Sequence, residues 1–198
     1  MPTNFWNSPS VEPKRNFRFL FTISQFPDME WIVKSVDKPK YSITSVPHQF
    51  INHTFNYPGR LTWSPINVTL VDPARPVDAA QQVQTFVRLA GYAHPSAGVG
   101  FERAQSSIEK QKATENLGNV YIRQLGYSDN SADALGADVL DQWELFNPFI
   151  QGDVSFGTMA YDNEELTTVT FTLMYDWAVY QTSPAGHPGA GTDTWVAN

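Results

Sequence analysis

The sequence contains no cysteine. That excludes a disulfide scaffold, a thiol nucleophile, a thiol redox centre and any zinc site built on thiolates, so packing alone must hold the fold. No apolar run approaches the ~20 residues that span a bilayer. The opening MPTNFWNSPSVEPKRN lacks the apolar stretch of a secretory signal. A soluble chain that is not exported by a cleaved signal and does not insert into a membrane is expected. Charge of one sign is also missing from a long stretch. Met1 to Arg123 carries 13 basic and 9 acidic side chains, whereas Gln124 to Asn198 carries 11 acidic and no basic ones. A nucleic-acid-binding surface needs the opposite sign. The acidic portion suits a solvated face, a wall that must not hold a polyanion, or a face that docks on a basic face of another copy.

Catalytic signatures are equally scarce. The four histidines, His48, His53, His94 and His187, show no i, i+4 spacing that places two zinc ligands on one helix face. The acidic run Asp162-Asn163-Glu164-Glu165 lacks the alternating ligands and the glycine of a calcium loop, and reads as a hairpin turn. Nucleophile-elbow, phosphate-loop and dinucleotide fingerprints are absent. Carboxylates such as Asp141 and Glu144 are not distinguished from solvated neighbours. No catalytic residue, cofactor or metal is expected.

What the chain does have is large side chains in alternation. Of 198 residues, 41% are hydrophobic and 14% aromatic, enough for one domain with a sizeable core. Phe17, Phe19, Phe21 and Ile23 alternate with Arg18, Leu20, Thr22 and Ser24, a period of two that predicts a strand with one dry face. From Thr168 to Val179 the alternation is cleanest, with Val169, Phe171, Leu173, Tyr175, Trp177 and Val179 on one side and Thr168, Thr170, Thr172 and Asp176 on the other. Shorter strands are expected at 30–36, 41–46, 49–57, 60–71, 119–125, 139–146 and 152–156. The fold class is mainly β: an antiparallel sandwich or barrel. One flanking helix is expected at about 73–90, capped by Asp72, with Val83, Phe86, Val87 and Ala90 on its core face and Gly91 as its stop. Residues 101–113 read as a second short helix or an ordered loop.

One segment breaks the pattern. In FNYPGRLTWSPINVTLVDP the apolar side occupies odd positions at Leu61 and Trp63 but even ones at Ile66, Val68 and Leu70. One extra residue near Ser64-Pro65 is implied, a bulge at which the strand bends or changes sheet. The preceding residues, with Phe50, Ile51, Phe55, Tyr57 and Trp63, predict a hairpin closed by Pro58-Gly59 and apolar on both faces. Such a hairpin needs cover from the domain core or from another subunit.

These residues carry a resemblance. SVPHQFINHTFNYPGRLTWSPINVTLVDP, followed by GNVYIRQLG, WELFNPFIQGDVSFGTMAYDNEE and VTFTLMYDWAVY in that order, resembles the tail tube proteins of contractile-tailed bacteriophages. The resemblance implies a tube domain over residues 16–181, between an N-terminal arm (1–15) and a Gly/Pro-rich C-terminal tail (182–198). It implies hexameric rings that stack into a hollow tube, with sheath, tape-measure and baseplate proteins as partners. DNA would pass through without specific binding, and the location would be the virion tail, assembled in the host cytoplasm. An extended inter-ring hairpin would supply subunit contacts through Phe50, Asn52, His53, Phe55, Tyr57, Pro58, Arg60 and Trp63. The lumen would be lined by Thr168, Thr170, Thr172 and Asp176, with Lys14, Arg15, Lys34, Lys38 and Lys40 turned elsewhere. A baseplate tube initiator or an injection-system tube is the near alternative. A monomeric β-sandwich carbohydrate-binding module is the distant one.

Overall fold

The computed structural model describes residues 13–75, 77–92, 108–126, 139–162 and 164–182. Most of the expected N-terminal arm, nearly all of the C-terminal tail, residues 101–107, His94 and His187 lie outside the described residues.

The described residues form ten strands: β1 (Phe19–Ile23), β2 (Val33–Val36), β3 (Lys40–Phe50), β4 (His53–Ser64), β5 (Ile66–Val71), β6 (Val120–Leu125), β7 (Val139–Phe146), β8 (Phe149–Ser155), β9 (Thr168–Met174) and β10 (Trp177–Thr182). One four-stranded antiparallel sheet has the order β1-β6-β7-β10, and a second has the order β2-β5-β9-β8; β3 and β4 form a separate two-stranded hairpin. The two larger sheets share a single core. Phe21, Ile23, Val120, Ile122 and Leu145 from the first meet Ile66, Val68, Leu70, Val169, Phe171 and Leu173 from the second. Each strand contributes alternate residues, which is why the period of two in the sequence maps onto a sandwich.

The long alternating stretch near the C-terminus is two strands, not one. β9 ends at Met174 and belongs to the second sheet; β10 begins at Trp177 and pairs with β7 in the first. The break is held by Asp176, whose N–H donates to the Phe146 carbonyl and whose carboxylate accepts from Asn147 and Lys110. The buried parity changes at the crossing. Val169, Phe171, Leu173 and Tyr175 face the core, but in β10 Ala178 is buried while Trp177, expected on the core side, is 45% exposed and Val179 only half-buried. The chain enters the facing sheet with its inward side reversed.

Helix α1 (Ala79–Leu89) starts later than expected, because Asp78 is its cap and accepts from the Gln81 N–H at 2.8 Å. Asp72 still serves this helix end, accepting from the Ala80 N–H at 3.2 Å. Val83 and Phe86 are buried, Phe86 sits edge-on to Phe26, and Gly91 turns the chain away at φ 107°. A second helix, α2 (Lys110–Leu117), packs on α1 and β8. Among the described residues no helix is long and apolar enough to cross a membrane.

At the start of α2, the Lys110 ammonium donates to both carboxylate oxygens of Asp176, at 2.6 and 2.7 Å. This hydrogen bond, and then the one from Asn147, holds the Asp176 carboxyl below its ordinary 3.8. A depressed pKa stabilises the fold above the unfolded value, and that contribution is lost as pH falls through the folded one. Acidification below 3.8 is therefore expected to loosen α2. Amide exchange in α2 should rise on acidification, and Lys110→Met should remove most of that acid response.

Among the described residues, the amide of Gln124 and the carboxylate of Asp141 enter the core, and both are satisfied. Gln124 donates to the Arg15 and Arg18 carbonyls at 2.6 and 2.7 Å and accepts from Lys38 at 2.9 Å. Asp141, only 3% exposed, accepts from Lys14 and Tyr180. Lys14 and Lys38, expected away from a lumen, are thus spent on closing one end of the sandwich.

Candidate assembly interface

The hairpin of β3 and β4 stands off the body, with every residue of β3 exposed. Its turn is Ile51-Asn52, because Phe50 pairs with His53. Pro58-Gly59 therefore lies inside β4 and does not close the hairpin. Ile51 takes φ 53° and is 85% exposed. A β-branched residue in the left-handed region is strained, and the two-residue turn imposes that conformation on Ile51.

The extra residue expected near Ser64-Pro65 resolves into two separate features. At Pro65 the chain changes sheet, since β4 pairs only with β3 while β5 enters the second sheet between β2 and β9. The bulge itself is earlier. Ile43 pairs with Leu61 and Ser45 with Pro58, so Gly59 and Arg60 together oppose Thr44. The Thr44 hydroxyl satisfies the irregularity by accepting from the Arg60 N–H at 3.0 Å. Gly59 is required there, because a Cβ would lie 2.4 Å from Thr44 Oγ1 and 2.8 Å from the Thr44 carbonyl oxygen. Pro47 and Pro58 are tolerated because a two-stranded ribbon leaves half of its N–H groups facing outward.

The bulge decides which way the aromatic side chains point. Between the bulge and the body, the register places Tyr41, Trp63, Ile43 and Leu61 on one face. Beyond the bulge the apolar pairs are Val46 with Tyr57, His48 with Phe55, and Phe50 with His53, and alternation puts them on the opposite face. The hairpin thus offers two apolar patches, one per face, offset along its length. Ring contacts follow the same division, Tyr41 to Trp63 near the body and His48 to Tyr57 beyond the bulge.

Only the near patch touches the body. Trp63 lies 5.7 Å, centroid to centroid, from the buried Tyr175. The Tyr175 hydroxyl is pushed up to about 12 by burial, with the neighbouring Lys40 backbone partly offsetting. Among the described residues no partner completes a hydrogen bond to that hydroxyl, the Lys40 backbone lying close without the geometry of one. Burying an unpaired hydroxyl costs roughly 1–3 kcal/mol, so Tyr175→Phe is expected to raise the melting temperature and to leave the hairpin anchored. A lowered melting temperature in a thermal scan would contradict this.

Of the residues expected to make subunit contacts, Phe50, His53, Phe55 and Tyr57 are brought together on the far patch and Arg60 flanks it by register. Asn52 is in the turn, and Trp63 belongs to the opposite patch near the body. Tyr41, Ile43, Leu61, Val46 and His48 were not picked out from the sequence as contact residues. Their signal was a parity step in β3, from Tyr41 and Ile43 to Val46, His48 and Phe50, matching the bulge in β4. Of the residues expected in a lumen, Thr168, Thr170 and Thr172 share the outward face of the second sheet, where Thr170 meets Thr69 and Thr172 donates to Asn67 at 3.0 Å. Asp176 does not continue that row, being tied to α2. Among the described residues no group of three His, Asp or Glu is placed to hold a metal ion.

No family model matches the chain, and no curated protein does. Solved structures do match. The anti-feeding prophage cap, a tube terminating cap, superposes with a TM-score of 0.61 at 15% identity, over 92% of this chain and 100% of that one. A chain from the sheath-tube complex of the PVC extracellular contractile injection system in the extended state gives 0.60 at 15% identity, over 88% and 95%. A chain from the anti-feeding prophage baseplate gives 0.56 at 12%, over 86% and 97%. The fold is that of contractile tube and cap assemblies.

Proposed function

We propose that this chain is a structural subunit of a contractile tail tube, which forms stacked hexameric rings around a channel for DNA ejection. The observation that carries the reading is the offset pair of apolar patches on a hairpin that the body meets at Trp63 and otherwise leaves exposed. A monomer rarely exposes so much contiguous apolar surface, and a two-stranded ribbon is only marginally stable without packing partners. Other copies of the chain, one for each patch, supply that cover. Joining of sheet edges between neighbours would also remove the unpaired strand edges that invite misassembly. Sheath, tape-measure and baseplate proteins are the further partners of such a tube, and the virion tail its location.

The outward face of the second sheet suits the channel wall. Thr168, Thr170, Thr172, Asn67 and Thr69 give it hydroxyl and amide groups, with Lys34 on the edge strand. The first sheet carries Arg123 on its outward face, beside Gln142 and Tyr121. Phosphate pairing with Lys and Arg is what would slow DNA. Each face carries one such group, and the threonine face, which keeps its Lys34 at the edge strand although that lysine was expected away from the lumen, is the better wall.

A terminating cap is the second reading, favoured by the complete coverage of the anti-feeding prophage cap. Negative-stain electron microscopy of the purified protein separates the two. A tube subunit is expected to grow into long stacks with a central channel, and a cap to stop at one ring. A protein that stays monomeric at every concentration would remove both readings.

A further inference from the structure

We propose that the far patch of the hairpin docks on the β8–β9 loop of the next copy, a head-to-tail contact between two different surfaces of the same chain. The proposal rests on the tube-subunit reading in taking a second copy as the partner, and three observations select the loop as the receiving surface.

The first is a second uncovered apolar surface. In the loop between β8 and β9, Met159 is 90% exposed, Leu166 72%, and Tyr161 fully so. Among the described residues little covers these side chains, and their size is not explained by a turn of solvated residues.

The second is charge. Between Asp37 and Asp72 the chain has Lys38, Lys40 and Arg60 and no acidic residue. From Phe156 to Thr167 it has Asp162, Glu164 and Glu165 and no basic residue. Like hairpins repel weakly, and so do like loops, but hairpin and loop attract. Complementary patches of this kind set register and speed encounter.

The third is placement. β5 and β9 pair from Ile66 with Leu173 to Val71 with Thr168. The hairpin joins the body at Ile66, through Pro65, whereas the loop enters β9 at Thr168. The two surfaces therefore leave opposite ends of the same strand pair. A patch on one end and its complement on the other cannot satisfy each other within one chain, and make a heterologous contact that repeats from copy to copy, the geometry of stacks and not of closed dimers.

The test uses two variants of the full chain. The tip variant is Phe55→Ser with Tyr57→Ser; the loop variant is Met159→Ser with Tyr161→Ser, all at exposed positions. Each alone is expected to stay short of stacks. Mixed, they are expected to form one-to-one complexes and go no further, because one retains an intact loop and the other an intact tip. Sedimentation velocity reads both results. A charge pair gives an independent arm: Arg60→Glu and Glu164→Lys should each weaken association, roughly tenfold or more, and together restore part of it. If the loop variant assembles like the unmodified chain, the receiving surface is elsewhere and this docking is wrong, while the tube reading stands. The docking is equally excluded if both variants fail alone and do not pair when mixed. If the unmodified protein itself never self-associates, the tube reading fails instead.

Discussion

Protein carrying Phe55→Ser and Tyr57→Ser is expected to fold normally and to lose assembly almost completely. The two rings are 51% and 56% exposed in the isolated chain and lie beyond the bulge, away from the body. The sandwich core contains neither. Their removal should therefore leave the melting temperature within a few degrees of the unmodified protein. In an interface, buried aromatic anchors each contribute about 2 kcal/mol or more. Two lost per contact weaken each contact by roughly a thousandfold, and a stack made of repeated contacts disappears at micromolar concentration. Light scattering and circular dichroism decide the matter together. Normal stacks with normal folding would falsify the role of the hairpin, and an unfolded variant would place the hairpin in the core.

The second large effect is expected at Gly59. The position where its side chain would begin faces Thr44, and Gly59→Val would drive a Cβ to within 2.4 Å of Thr44 Oγ1. The bulge then cannot persist. Without it, β4 would keep Leu61, Tyr57 and Phe55 on one face, because all are odd, while Ile43 and Val46 on β3 fall on opposite faces. Cross-strand pairs such as Val46 with Tyr57 would be broken, since a one-residue shift turns every side chain to the other face. Stacks should be lost as completely as with the double serine change, though every aromatic residue is still present. Faster amide exchange in β3 and β4, with an unchanged sandwich, is the expected signature. Assembly at the normal concentration would show that the orientation of the far patch is immaterial.

Much of the fold was legible in residue order alone. Strand β7 falls at the expected residues Val139 to Phe146, and β6 within one residue of its expected start, because alternation with large apolar residues leaves one solution when one face is dry. Absence of cysteine, scarcity of histidine constellations and the one-sided charge of residues 124–198 came directly from composition. The need of the hairpin for cover was also readable, since aromatic residues in both parities leave neither face polar, but whether the body or another subunit supplies that cover was not. Tertiary structure decided what local pattern could not. Apolar residues keep one parity in the sequence through Trp177 and Val179, whereas burial passes from Tyr175 to Ala178 where the chain crosses to the facing sheet, so only three-dimensional pairing separated β9 from β10 at Asp176. A proline-glycine pair marks either a turn or a bulge, and the register of β3 against β4 chose the bulge and moved the turn to Ile51-Asn52. The sequence by itself determined that the hairpin carries apolar side chains in both parities and needs cover, from the domain core or from another subunit. Which face each patch occupies, and that the hairpin and the acidic loop leave opposite ends of one strand pair, were decided by long-range pairing, because register is a property of two strands and is written in neither alone.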